Sequence, residues 1–138
     1  MKKKFNHYIE NLQDRITQKL AEVDGKAEFK EDIWDRSGGG GGRTRVLENG
    51  EVFEKGGVNI SAVYGELPES MKNYFKVKGG DFFACGLSIV IHPKNPFVPT
   101  VHANWRYFEL YNSKGELQDQ WFGGGQDLTP YYLFEEDA

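Results

Sequence analysis

Five side chains with usable chemistry crowd into the stretch Ser88 to Arg106: Ser88, His92, His102, Asn104 and Arg106. An arginine grips a carboxylate with a two-pronged fork, Asn and Ser supply neutral hydrogen bonds, and a histidine passes a proton near neutral pH. In an extended strand residues two apart share a face, so Ser88, Val90 and His92 point one way and Leu87, Ile89 and Ile91 the other. Downstream, Thr100, His102, Asn104, Arg106 and Phe108 share one face, with Val101, Ala103, Trp105 and Tyr107 on its back. If residues 93–99 connect two antiparallel strands, pairing sets His92 near His102, Val90 near Asn104 and Ser88 near Arg106. That patch extends roughly 13 Å from His102 to Arg106 at about 3.3 Å per residue. It suits a bulky polycarboxylate better than a small metabolite.

Pro93, Pro96 and Pro99 stiffen the connection, since each fixes its own φ and restrains the residue before it. The plainer readings stand beside this one. Two histidines on a hairpin are commonly structural, two ligands do not complete a metal site, and an isolated strand arginine is commonly solvated. The aromatics Trp105, Tyr107, Trp121, Tyr131 and Tyr132 read as core, because aromatic residues at strand spacing usually pack inward.

The elements that must hold this hairpin are legible in outline. The chain has 138 residues, 38% of them hydrophobic and 14% aromatic, enough for one domain with a core. Phe5, Tyr8, Ile9, Leu12, Ile16, Leu20 and Val23 recur at helical spacing, which predicts an amphipathic helix within residues 1–25, stopped at Asp24-Gly25. Residues 37–64 hold a glycine run, Gly38 to Gly42, that would pass for a linker on composition alone. It leads instead into a predicted hairpin on the two-residue turn Asn49-Gly50, and then into a strand over 58–64. A short helix is predicted over 68–75 and an antiparallel meander over 82–122, turning at residues 112–115. Thr129-Pro130 reads as a cap followed by proline at the first helical position, predicting the start of a helix over 129–138 that the chain cuts short. The fold class is α+β.

Composition excludes several functions. With 17 Lys and Arg against 21 Asp and Glu, a net charge of -4, nothing favours a nucleic-acid or acidic-membrane partner. The basic start Met1 to Lys4 is followed by a charged segment rather than a continuous apolar one, so neither a signal peptide nor a membrane span is expected, and a cytoplasmic protein is. Cys85, the single cysteine, cannot form an internal disulfide. Neither glycine run is followed by Lys-Ser or Lys-Thr, nor sits in a dinucleotide fingerprint, which argues against nucleotide binding.

Three stretches in order, "VFEKGGVNIS", "SIVIHPKNPFVPTVHANWRYFE" and "WFGGGQDLTPYYLFEEDA", resemble the oxygen-dependent coproporphyrinogen oxidase family of haem biosynthesis, from about Asp35 onward. The resemblance implies a broad antiparallel sheet flanked by helices and a homodimer to which residues 46–55 contribute. It implies oxidative decarboxylation of two propionates of coproporphyrinogen III to vinyl groups by O2, giving protoporphyrinogen IX, CO2 and H2O2, with no organic cofactor. By the same likeness His102 matches the proton donor, Ser88 and the Asn104-Trp105-Arg106 segment match substrate contacts, and His92 and His102 match positions proposed for a divalent metal. Family members continue beyond "EEDA", so this chain is expected to be an N-terminal portion whose own activity is open. The alternatives are a non-catalytic tetrapyrrole-binding or dimerising fragment, and a small metal-dependent oxygenase built on the two histidines.

Overall fold

A computed structural model describes residues 1–137. Helix α1 (Lys2–Asp24) leads into strands β1 (Lys30–Asp35), β2 (Gly40–Glu48) and β3 (Phe53–Glu66). Helix α2 (Glu69–Phe75) then precedes β4 (Asp81–Pro93), β5 (Thr100–Tyr111) and β6 (Leu117–Thr129). The six strands form one open antiparallel sheet in sequential order, β1-β2-β3-β4-β5-β6, so the expected meander extends across the whole sheet. The α+β expectation holds.

The sheet has two chemically distinct faces because each strand alternates. Val58 and Ile60 of β3, Cys85 and Leu87 of β4, and Tyr107 of β5 form one buried cluster with Ile9 of α1, against which Phe5, Leu12, Ile16, Leu20 and Trp105 pack. Each fully buried aliphatic side chain there contributes about 1.5–3 kcal/mol. The helix seats on this face through a polar residue that its apolar stripe does not reveal. Gln13, 0% exposed, donates from Nε2 to the carbonyls of Arg43 (2.8 Å) and Val58 (2.9 Å), while its Oε1 accepts from Arg43 Nε (2.6 Å). Gly25, at φ 72, closes the helix in the left-handed conformation that glycine adopts without steric cost.

Three local features depart from the expectations or add to them. The Asn49-Gly50 connection is a four-residue loop, since β2 ends at Glu48 and β3 begins at Phe53. Its cause lies in the tertiary structure: the Asp24 carboxylate at the end of α1 accepts the backbone N–H groups of Glu51 (3.0 Å), Val52 (3.1 Å) and Phe53 (3.0 Å), as well as that of Ala27 (2.9 Å). Burial pushes this carboxyl upward, but the four backbone donors outweigh it and hold Asp24 well below the usual carboxylate range. Second, the charged segment at 30–35 is edge strand β1, paired with β2 from Lys30↔Val46 to Asp35↔Gly41. Charge on an edge strand is the usual protection against unwanted pairing. Third, no helix begins at Thr129-Pro130: Thr129 is the last residue of β6, and a 3-10 turn follows at Glu135–Asp137. The register that pairs β6 with β5, from Tyr111↔Leu117 to Thr100↔Thr129, overrides the local capping signal. Ala138 lies outside the described residues.

Candidate functional site

On the face opposite α1 the register builds rows of side chains straight across the sheet. One row runs Gly42, Ser61, Gly86, Arg106, Gly123 through strands β2 to β6. The next runs Thr44, Asn59, Ser88, Asn104, Gly125, and the third runs Val46, Gly57, Val90, His102, Asp127. With about 4.8 Å between strands and about 6.8 Å between rows, the polar patch measures roughly 10 by 14 Å. Ser61, Asn59, Ser88, Asn104 and Arg106 line a cavity of about 700 Å³ on it.

The cavity's geometry follows from residue size. Arg106 is flanked in its row by Gly86 and Gly123, which leave the guanidinium room to lie along the sheet; a Cβ added at Gly86 would come within 3.1 Å of Arg106 Cγ. Nothing lies within 4 Å of a Cβ built at Gly123 or Gly125, so the floor beside Arg106 and Asn104 is bare backbone under open space. At one end the cavity is closed by aromatic residues: Trp121 stacks on Phe108 with ring centroids 4.6 Å apart, and Phe75 of α2 lies 5.5 Å from Trp121. Helix α2 therefore caps the site's apolar end, with Met71 on its wall.

The third row holds a histidine paired with a carboxylate. His102 Nδ1 lies 2.7 Å from Asp127 Oδ1, and the Thr129 hydroxyl donates to the same oxygen at 2.9 Å. A carboxylate accepts only, so Nδ1 carries the hydrogen and Nε2 is left for a ligand. The bond from His102, followed by that from Thr129, holds the Asp127 carboxyl below its ordinary value. The His92 and His102 rings stand perpendicular, with centroids 6.3 Å apart. Among the described residues no group of three or more His, Cys, Asp or Glu converges as a metal-ligand set. These residues do not by themselves assemble a metal centre.

Several expected site residues change neighbours across the strands but none changes face. His102 pairs with Val90, Ser88 with Asn104 and Gly86 with Arg106, so β4 and β5 are offset from the register expected from a loop over 93–99. The offset is an even number of residues, so Ser88, His92, His102, Asn104 and Arg106 keep their common face. Trp105 does not join them: its indole packs against the α1 cluster on the back of the sheet, as its expectation as a core residue has it. Tyr107 is core at 1% exposure, whereas Tyr131 and Tyr132, 68% and 55% exposed, are not. Trp121 serves as a cavity wall. Asn59, Ser61 and Asp127 were not among the expected site residues. The alternation of Asn59 and Ser61 with Ile60 and Ala62 carried the signal for two of them, but only β3-β4 pairing puts Asn59 opposite Ser88.

The polar face thus brings together co-aligned amide, hydroxyl and guanidinium donors over a glycine floor, beside a carboxylate-oriented histidine. The chain matches the coproporphyrinogen III oxidase family model over residues 4–138, and it belongs to that family. It is 50% identical to an oxygen-dependent coproporphyrinogen-III oxidase, chloroplastic, of Glycine max, covering 98% of this chain and 38% of the relative. Against the oxygen-dependent coproporphyrinogen-III oxidase of Prochlorococcus marinus identity is 52%, covering 99% of this chain and 39% of the relative. The corresponding enzyme of Coxiella burnetii is 50% identical, with 95% and 43% covered. The chain thus spans about two-fifths of the length of these curated relatives. No helix among the described residues is long and apolar enough to cross a membrane.

Proposed function

We propose that this chain provides the propionate-binding and proton-handling wall of an oxygen-dependent coproporphyrinogen III oxidase. The observation that carries this reading is the shared face of Asn59, Ser88, Asn104 and Arg106 on one cavity, with the His102-Asp127 pair in the adjoining row. Per propionate, the reaction converts R–CH2–CH2–CO2⁻, O2 and H⁺ into R–CH=CH2, CO2 and H2O2. A carbon–carbon bond breaks as CO2 leaves, a C–H hydrogen passes with two electrons to oxygen, and one proton is taken up. O2 is the co-substrate and no organic cofactor is needed.

The chain's own residues divide the work. Arg106 and Asn104 hold one propionate of coproporphyrinogen III, and Ser88 adds a hydrogen bond. A carboxylate gripped by a guanidinium is stabilised against loss as CO2, so the gripped propionate is an anchor. The reacting one lies toward His102, which in its imidazolium form carries a second hydrogen on Nε2 and delivers from there the proton that the stoichiometry requires. Asp127, bound to Nδ1–H, orients that ring. Fixing a large ring by one propionate while another reacts is catalysis by positioning. No step is derived through a metal.

The test mixes anaerobically prepared coproporphyrinogen III with the chain and admits air, reading divinyl product by chromatography and peroxide by a coupled assay. Product formation that falls with His102→Ala while coproporphyrin III binding persists is the expected result. Unchanged turnover in His102→Ala would sink the proton role, and absence of both product and binding would refute the assignment. Binding without turnover would support a second reading, a tetrapyrrole-binding module.

A homodimer involving residues 46–55 belongs to the same proposal. The segment spans the β2-β3 connection, and both strands are already paired on two sides. Contact would therefore run through the loop at 49–52 and the strand faces rather than by edge pairing, and light scattering reads it as twice the chain mass. A reducing, cytoplasmic setting is consistent with the buried free thiol of Cys85, and subcellular fractionation tests it.

A further inference from the structure

The side of the cavity on β3 is held by a chain of hydrogen bonds that runs from Trp34 to Asn59. Trp34 Nε1 donates to Thr44 Oγ1 at 3.0 Å, and Thr44 Oγ1 donates to Asn59 Oδ1 at 2.6 Å. An indole nitrogen can only donate, so Thr44 accepts from Trp34 and keeps its hydroxyl hydrogen for the amide oxygen that the structure places against it. With Oδ1 held by Thr44, the Nδ2 donors are turned away from β2. Asn59 lies directly opposite Ser88 and lines the same cavity as Asn104 and Arg106.

The glycine run explains how Trp34 reaches this position. Its ring lies over Gly42, the residue it pairs with across β1 and β2, and a Cβ at Gly42 would collide with the indole. The run thus opens a seat for the first member of the relay, on a strand that composition would have left as a linker.

We infer that Trp34 and Thr44 are positioning residues that lock Asn59 with its amide N–H groups facing the cavity, where Asn59 Nδ2 donates to a carboxylate oxygen of the bound ligand. The inference rests on the reading of this cavity as a carboxylate-binding site. It adds a recognition element on β3, across the cavity from Arg106, so the ligand is held from two sides. Without the relay the amide is free to rotate by half a turn and present its oxygen, which repels a carboxylate.

Titration of the chain with coproporphyrin III, followed by porphyrin fluorescence, tests this. Asn59→Asp keeps the shape and the acceptor for Thr44 but replaces the donor with a negative oxygen, and should raise Kd more than about tenfold. Thr44→Val removes the relay at nearly constant volume and should raise Kd about fivefold, while Thr44→Ser, which keeps the hydroxyl, should stay within about twofold of the unaltered chain. Rescue by serine is the readout that a merely structural threonine would not reproduce. Thermal midpoints by circular dichroism accompany each variant. Should Thr44→Val fail to fold, Asn59→Asp decides alone. If the unaltered chain binds and Asn59→Asp binds equally well, the inference is overturned and the carboxylate-site reading stands. If the unaltered chain does not bind, both fall together.

Discussion

Replacing Gln13 by Leu tests how α1 is held on the back of the sheet. Gln13 is 0% exposed and makes three hydrogen bonds to the strands, of 2.8, 2.9 and 2.6 Å, the last from a guanidinium. A neutral intramolecular hydrogen bond contributes about 1 kcal/mol net, and one to a charged group about 1.5–3 kcal/mol. The loss therefore sums to about 4 kcal/mol. Leucine returns about 1 kcal/mol through added apolar burial, and Arg43 keeps an ion pair with Asp14 at 3.0 Å, which limits the cost on its side. A net destabilisation of about 2–3 kcal/mol remains. Unfolding entropy of about 2.1 cal/mol/K per residue, over 138 residues, gives about 0.3 kcal/mol per degree, so the thermal midpoint should fall by roughly 7–10 °C. Differential scanning calorimetry measures it, with urea titration as the isothermal counterpart. A fall of less than about 3 °C would refute the assignment of Gln13 as the residue that docks α1 on β2 and β3.

Other consequences are equally direct. Arg106→Met should raise the Kd for coproporphyrin III by up to about fivefold and flatten its dependence on salt, because an exposed guanidinium-carboxylate pair is worth about 0.2–1 kcal/mol and is screened; an unchanged salt slope would exclude Arg106 as the anchor. Asp24, held below the usual carboxylate range when folded and near 3.9 when unfolded, adds stability that is fully present above about pH 5 and is lost as pH falls through the lowered folded value. Urea midpoints between about pH 6 and 3 should therefore decline less steeply in Asp24→Asn, although that variant starts from lower stability. Cys85, whose thiol burial and then the Glu109 charge push up to about 11, should resist alkylation by iodoacetamide at neutral pH until denaturant is added, a result read by mass spectrometry. Rapid labelling of the folded chain would contradict its burial.

The family and the polar face of the β4-β5 hairpin were legible in the residues, because strand periodicity depends on local backbone geometry alone. Counting by twos put Ser88, His92, His102, Asn104 and Arg106 together, and that survived an error in register, since an even offset leaves every side chain on its face. The helix over α1 was legible for a similar reason: its apolar residues recur every three or four positions, and glycine stops it. Where a local signal competed with long-range pairing, the local signal lost. Thr129-Pro130 has the form of a helix start, yet β6 runs through Thr129 because its partner on β5 continues to Thr100. Asn49-Gly50 has the form of a two-residue turn, yet Asp24 captures the loop amides of Glu51 and Val52 and that of Phe53 at the start of β3, and lengthens it.

By itself, then, the sequence determined which residues share a strand face, where the first helix stops, and which family the chain resembles, all consequences of short-range geometry or of ordered motifs. Tertiary structure alone decided which faces meet. It set Asn59 across from Ser88, brought Asp127 onto His102, and seated Trp34 over Gly42 within reach of the Thr44 hydroxyl. Each of those depends on the pairing of strands far apart in the chain, and pairing is fixed by the packing of the whole sheet against α1 rather than by any one segment's preference.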